Sequence, residues 1–137
     1  MSIGVSGRYA TDSDESRTQG GITAKTWIDR WNLMFQDQVD FIHQDIKDGT
    51  GASRNQVAAY VLMSWFAAPG WSYDVGVGHF NEDLHVQGLD RQAFDVNVHY
   101  VPWPHFEFIL STRIQAIDWG AGGPTSGYGL LQLHYHL

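Results

Sequence analysis

Hydrophobic and polar residues alternate along the last ten positions of the chain, residues 128–137. Leu131, Leu133, Tyr135 and Leu137 occupy one set of alternate positions, and Gln132 and His134 lie in the other. A period of two is that of a β-strand whose two faces meet different surroundings. The pattern therefore predicts a two-faced strand at this end of the chain.

Similar segments occur along the rest of the sequence and predict an all-β fold. We expect eight strands, at residues 3–11, 21–29, 33–45, 56–66, 71–80, 91–101, 106–117 and 128–137. Their lengths match the roughly 9–11 residues that a tilted membrane-crossing strand needs. The sequence predicts a single domain over residues 1–137, an antiparallel up-and-down transmembrane β-barrel of about eight strands.

The predicted connections alternate in length. Those at 30–32, 67–70 and 102–105 are tight, whereas those at 12–20, 46–55, 81–90 and 118–127 are long and rich in loop-forming residues. Short turns at one end and long loops at the other are typical of outer-membrane barrels. Residue alternation by itself also fits a soluble, half-buried sheet.

Tryptophan is concentrated at the tight turns. Indole is amphipathic and favours the headgroup level of a bilayer, so membrane barrels carry aromatic girdles there. The alternative is that these side chains close the ends of a hydrophobic core. The predicted girdle consists of Trp31, Trp65, Trp71, Trp103 and Tyr135.

The more polar face of each strand would line the barrel interior. Eight strands leave an interior that side chains just fill, and buried charges must be paired. We expect a packed polar network in which Arg113 bridges at least one of Glu107, Asp95 and Asp74. The predicted network comprises Arg8, Lys25, Gln38, Asp40, Asp74, Asp95, Asn97, His99, Glu107, Arg113, Gln132 and His134.

Composition narrows the function classes. The formal charge of −7 argues against a nucleic-acid partner, because phosphate binding needs a basic surface. The chain has no cysteine and only two lysines, Lys25 and Lys47, whereas soluble surfaces are usually rich in lysine. We find no signal peptide, so an exported chain would be the mature form or one with an added Met1.

The sequence carries little catalytic chemistry. Neither GxSxG, HExxH nor a glycine-rich phosphate loop occurs, so we expect neither an enzyme nor a cofactor. His134 and His136 are two residues apart, and with His99 and either Glu107 or His105 they suggest a site for zinc or copper. The favoured alternative is that these histidines are ordinary side chains of the barrel interior and rim, so no metal is predicted. Asp37 interrupts an apolar face, which a bulge, headgroup contact or another chain would explain.

Five segments can be compared with known barrel sequences: residues 38–45 (QVDFIHQD), 55–60 (NQVAAY), 91–96 (RQAFDV), 122–128 (GGPTSGY) and 130–137 (LLQLHYHL). Together they resemble the C-terminal region of proteobacterial porins. This resemblance implies an outer-membrane location in Gram-negative bacteria, passive transport and insertion guided by the last strand. Leu133, Tyr135 and Leu137 would then form the barrel-closing signal read by the assembly machinery.

The sequence thus predicts a porin-like, non-catalytic barrel surrounded by outer-membrane lipids and lipopolysaccharide. A porin needs about 16–18 strands for an aqueous channel, so eight strands would give a narrow polar lumen with little or no solute conductance. The chain is either a natural small barrel or the C-terminal part of a larger one. Two alternatives are a soluble lipocalin-like barrel that binds a hydrophobic ligand and a small outer-membrane enzyme that modifies lipid.

Overall fold

The computed structural model describes residues 1–47, 52–118 and 122–135. Among them no helix is long and apolar enough to cross a membrane. Leu137 and His136, which belong to the predicted closing strand, lie outside the described residues. The strands are β1 (Ser2–Thr11), β2 (Glu15–Ile28), β3 (Leu33–Ile46), β4 (Ser53–Ala68), β5 (Trp71–Asn81), β6 (Asp90–Trp103), β7 (Phe106–Ile117) and β8 (Thr125–Tyr135).

The eight strands form one antiparallel up-and-down sheet in the order β1 to β8. Each strand pairs with its neighbours in sequence, as successive hairpins require. The predicted all-β fold, strand number and up-and-down order are therefore confirmed.

Local backbone geometry sets the tight ends of three hairpins. A single 3-10 turn, Asp29–Trp31, joins β2 to β3 and ends at Asn32, whose φ of 51° is left-handed. Gly70 (φ 78°) and His105 (φ 75°) take left-handed conformations between β4 and β5 and between β6 and β7. Glycine accepts this conformation without a Cβ clash, and both turns also contain proline, which favours turns.

The first predicted long loop is wrong. The chain leaves β1 at Thr11 and enters β2 at Glu15, so only residues 12–14 connect them. Residues 16–20 (SRTQG) have the polar composition of a loop, yet they pair with β1 on one side and β3 on the other. Pairing on both sides overrides their weak strand propensity. The other three connections at this end remain longer than the tight turns.

The predicted closure of the barrel is not found. Seven ladders link β1 to β8, and no ladder joins β8 back to β1 within the described residues. Each of the seven ladders is formed by a local hairpin, whereas closure would pair segments more than a hundred residues apart. Alternation of polar and apolar residues is the same in an open and a closed sheet, so the sequence pattern did not distinguish them.

The two faces of this single sheet differ in burial. Ser64 and Asp95 are only 3% and 6% exposed, and with Asp40, Gln56 and Ile42 they lie on one face. On the other face Val77 is 55% exposed and Leu131 is 72% exposed. We call the first face the polar face and the second the apolar face.

Candidate functional site

The polar face is the candidate functional site. The ladders place all twelve residues of the predicted network on it, because the register links their positions from strand to strand. For example, Asp74 lies opposite both Ser64 and Asn97, and Asp95 lies opposite Arg113. Strand parity alone therefore brings these side chains to one surface.

Arg113 and Asp95 form the strongest ion pair of this face. Arg113 Nε donates to Asp95 Oδ1 at 2.5 Å and Nη2 donates to Oδ2 at 2.9 Å. The contact is bidentate, which is the strong geometry for arginine and carboxylate. The Asp95 side chain is only 8% exposed. This buried carboxylate depends on Arg113 for compensation of its charge.

Tyr60 lies over two glycines beside this pair. A Cβ on Gly76 would overlap the Tyr60 hydroxyl, and one on Gly78 would stand 3.4 Å from the ring. Position 76 is thus a glycine because any larger residue would take the space of Tyr60 on the neighbouring strand. Sequence reasoning missed this arrangement, although two glycines on the polar positions of β5 were a usable signal.

A second polar cluster runs across the last four strands. His99 Nε2 is 3.0 Å from Asp74 Oδ2, and His99 Nδ1 is 3.0 Å from Glu107 Oε1. Glu107 Oε2 is 3.3 Å from His134 Nδ1, and His134 Nε2 is 2.9 Å from Gln132 Oε1. We call Asp74, His99, Glu107 and His134 the histidine–carboxylate chain.

The remaining members of the predicted network are less connected. Gln38 Nε2 donates to Asp40 Oδ2 at 2.6 Å, while Asp40 Oδ1 is buried without a hydrogen-bond partner among the described residues. Within the same residues, Arg8 and Lys25 take part in no ion pair. The expected balance of acids and bases is therefore formed only towards β5–β8.

Long-loop residues add contacts that the sequence did not reveal. Arg91 at the start of β6 pairs with Glu82 of the preceding loop. In that loop the backbone N–H of His85 donates a hydrogen bond to the Asp83 carboxylate. This hydrogen bond, together with the His85 imidazole and Arg54, lowers the pKa of the Asp83 carboxyl. These contacts fold the loop against the sheet rather than forming a catalytic arrangement.

Aromatic side chains form a band at the tight-turn end. Trp65 stacks on Tyr73, Trp71 on Tyr73 and Tyr100, and Tyr100 on Phe108. Phe106 contacts both Trp103 and Tyr135. Four of the five predicted girdle residues therefore belong to this aromatic band, and the fifth, Trp31, is exposed in the adjacent turn.

Asp37 remains on the apolar face. It is exposed and lies opposite Ala24 and Val61, and the ladders on both sides of β3 run without a register shift. Of the three explanations for Asp37, the bulge is therefore wrong. Headgroup contact and contact with another chain stay as the two explanations.

Within the described ranges, no three His, Cys, Asp or Glu residues are arranged to hold a metal ion. His136, a member of the metal hypothesis, lies outside those ranges. Both described members of the predicted barrel-closing signal, Leu133 and Tyr135, are exposed on the apolar face of the edge strand β8.

Comparisons with known proteins give no family for this chain. No protein-family model, no curated protein and no solved structure matches it. The functional argument therefore depends on the two faces of the sheet and on the side chains they carry.

Proposed function

We propose that this chain forms the wall of a porin-like β-barrel in the outer membrane of a Gram-negative bacterium. In this proposal the apolar face meets lipid and the polar face lines the interior. In this proposal the role is also non-catalytic. The supporting observation is that the buried polar residues Asp40, Gln56, Ser64 and Asp95 all lie on the polar face, whereas most of the exposed large hydrophobic residues lie on the apolar face.

That distribution is the reverse of what water favours. Exposed valine, leucine and phenylalanine side chains extend over the apolar face from β3 to β8, including Val39, Val61, Phe94, Leu110 and Leu133. Soluble monomers rarely expose an apolar patch larger than a few hundred Å². Among the described residues no second layer covers this face. A bilayer would cover it without any further protein.

The aromatic band supports the same orientation. It lies at one end of the apolar face, as a girdle at the headgroup level would. At the opposite end the same face carries polar residues, among them Thr18, His43, Asn55 and His79. An apolar zone between an aromatic and a polar border is the expected outer surface of a membrane barrel.

The two edge strands make closure part of the proposal. Unpaired backbone groups at β1 and β8 would be costly in lipid, so both edges must pair with strands. Pairing of β8 with β1 gives an eight-stranded barrel with a narrow interior and little or no conductance; added strands would widen it. Strand β8, with Leu133 and Tyr135, is the segment that we propose the assembly machinery engages.

The soluble lipocalin-like alternative requires the opposite arrangement of the two faces. A lipocalin keeps its apolar face inside around the ligand and its charges outside. Here the buried side chains of the polar face include Asp40, Gln56 and Asp95. Their burial favours the membrane wall over the lipocalin.

Tryptophan quenching by brominated lipids tests the orientation. Two variants would each retain one tryptophan, either Trp65 on the apolar face or Trp27 on the polar face. In vesicles, Trp65 should be quenched several-fold more strongly than Trp27, because only the apolar face touches acyl chains. The two residues are similarly exposed in the sheet, so they form a matched pair. Equal quenching, or stronger quenching of Trp27, would refute the proposed orientation.

A further inference from the structure

A cavity of about 380 Å³ lies on the polar face of β1 and β2, at the end of the sheet that carries the long loops. It is separate from the polar clusters described above, which lie on β5 to β8. Its polar lining consists of Arg8, Thr11, Asp12, Glu15, Arg17 and Gln19.

Two arginines on neighbouring strands distinguish this cavity. Arg8 lies opposite Gln19 and Arg17 lies opposite Ala10, so the arginines are diagonal neighbours across one ladder. Diagonal neighbours are about 7–8 Å apart, within reach of long side chains. Among the residues that the structure describes, neither guanidinium takes part in an ion pair. Two permanent positive charges are thus held close together without a carboxylate at ion-pair distance.

The acids of the adjoining turn have partners of their own. Asp12 Oδ1 accepts a hydrogen bond from the backbone N–H of Ser13 at 2.7 Å, and the Glu15 carboxylate accepts one from the Gln44 side chain. Asp14, the third acid of this turn, does not line the cavity. These contacts leave both guanidinium groups available to a ligand.

Lys47 brings a third positive charge to the same place. Its Nζ atom donates to Thr11 Oγ1 at 2.7 Å and to the Asp12 carbonyl oxygen at 2.8 Å. Both acceptor residues line the cavity. Three of the eight lysine and arginine residues, in a chain of net charge −7, are therefore gathered around one cavity.

We propose that this cavity binds a soluble phosphate-type oxyanion, either inorganic phosphate or a phosphomonoester, with Arg8 and Arg17 as its charged ligands. A guanidinium group presents a planar fork of N–H donors that matches the geometry of phosphate. The Gln19 amide and the Thr11 hydroxyl provide neutral donors on the same lining. A bound dianion would balance the two neighbouring guanidinium charges.

The position of the cavity favours a soluble anion over a lipid headgroup. This step rests on the proposed function, in which lipid covers the apolar face and the polar face lines the barrel interior. A phosphate group would then reach the cavity through the interior. The two-arginine site itself depends only on β1, β2 and the turn between them.

Arginine side-chain NMR tests the site in the parent chain. The protein is refolded in maltoside micelles, which contain no phosphate, and inorganic phosphate is added at constant ionic strength. The ¹⁵Nε signals of Arg8 and Arg17 should shift and saturate, whereas chloride should leave both unchanged. Either the absence of a saturable shift or an equal shift with chloride would overturn the proposal.

Arg17→Gln and Lys25→Gln form a matched pair of variants. Both remove one positive charge from the polar face of β2, but Lys25 is outside the cavity, about 26 Å along the strand from Arg17. Arg17→Gln should weaken phosphate binding by about tenfold or more, because it removes charged hydrogen bonds. Lys25→Gln should weaken it by less than about twofold, because its charge is screened over that distance. Equal weakening would show only general attraction to positive charge and would overturn the site.

Lipid nanodiscs distinguish the two sources of phosphate. Discs of phosphatidylcholine alone and discs that also contain phosphatidate should give the same Arg8 and Arg17 signals when no free phosphate is present. A shift with phosphatidate would assign the site to a lipid headgroup and overturn the soluble anion. If the parent chain folds in plain buffer, the membrane wall is refuted, but the phosphate titration can be made there. The two failures are therefore distinguishable.

Discussion

Arg113→Ala should lower the free energy of unfolding by about 3–5 kcal/mol, the largest loss we expect from a single substitution on the polar face. Asp95 is almost fully buried, and Arg113 supplies both donors that compensate its charge. Removing the guanidinium leaves that carboxylate unpaired while the strands stay in place. Urea unfolding of the chain refolded in micelles measures the effect.

Arg8→Ala is the matched control for this experiment. Arg8 lies on the same face, but it is exposed and has no ion pair in the part of the chain that the structure describes. Its removal should change the unfolding free energy by less than about 0.5 kcal/mol, as surface substitutions usually do. Equal midpoints for Arg113→Ala and Arg8→Ala would show that the Arg113–Asp95 pair contributes nothing particular to stability.

Val77→Arg should cost about 2–4 kcal/mol in a bilayer, the range for arginine near the midplane of a barrel's lipid-facing surface. Val77 is in the middle of the apolar face, opposite Val61 and Phe94. If water covered that face instead, an arginine there would be solvated and would cost little. Equilibrium folding into phospholipid vesicles measures the difference from the parent.

His79→Arg is the control for the charge itself. His79 lies two residues after Val77 on the same face, nearer the long loops. Its Nε2 atom is 3.5 Å from Asp90 Oδ1. An arginine there lies at the polar border beside a carboxylate, so we expect a cost below about 1 kcal/mol. Equal costs at both positions would contradict a lipid-covered apolar face.

The sequence predicted the strands and their faces well because alternation reports directly on the pleat. Strand β7 begins and ends at the predicted residues, since Phe106 to Ile117 alternate regularly between apolar and mostly polar positions. Strand β2 was predicted too short because Thr18, Gln19 and Gly20 have loop composition. Only their pairing with β1 and β3 makes them a strand, and that pairing is tertiary information.

The sequence predicts which residues of the candidate site share a face, but it does not predict which of them form ion pairs. Parity placed Asp74, Asp95, Glu107 and Arg113 on one face. Which acid Arg113 binds depends on the register of β6 with β7, which sets Asp95 directly opposite it. The histidine–carboxylate chain depends on the registers of three ladders together.

Folding of the parent chain with and without detergent, followed by a heat-modifiability gel, tests the central claim most directly. We predict that the chain stays unfolded or aggregates in plain buffer, where the exposed apolar face meets water. In micelles it should fold into a detergent-resistant form whose migration changes on boiling. A chain that folds in plain buffer and migrates identically before and after boiling would contradict the membrane wall.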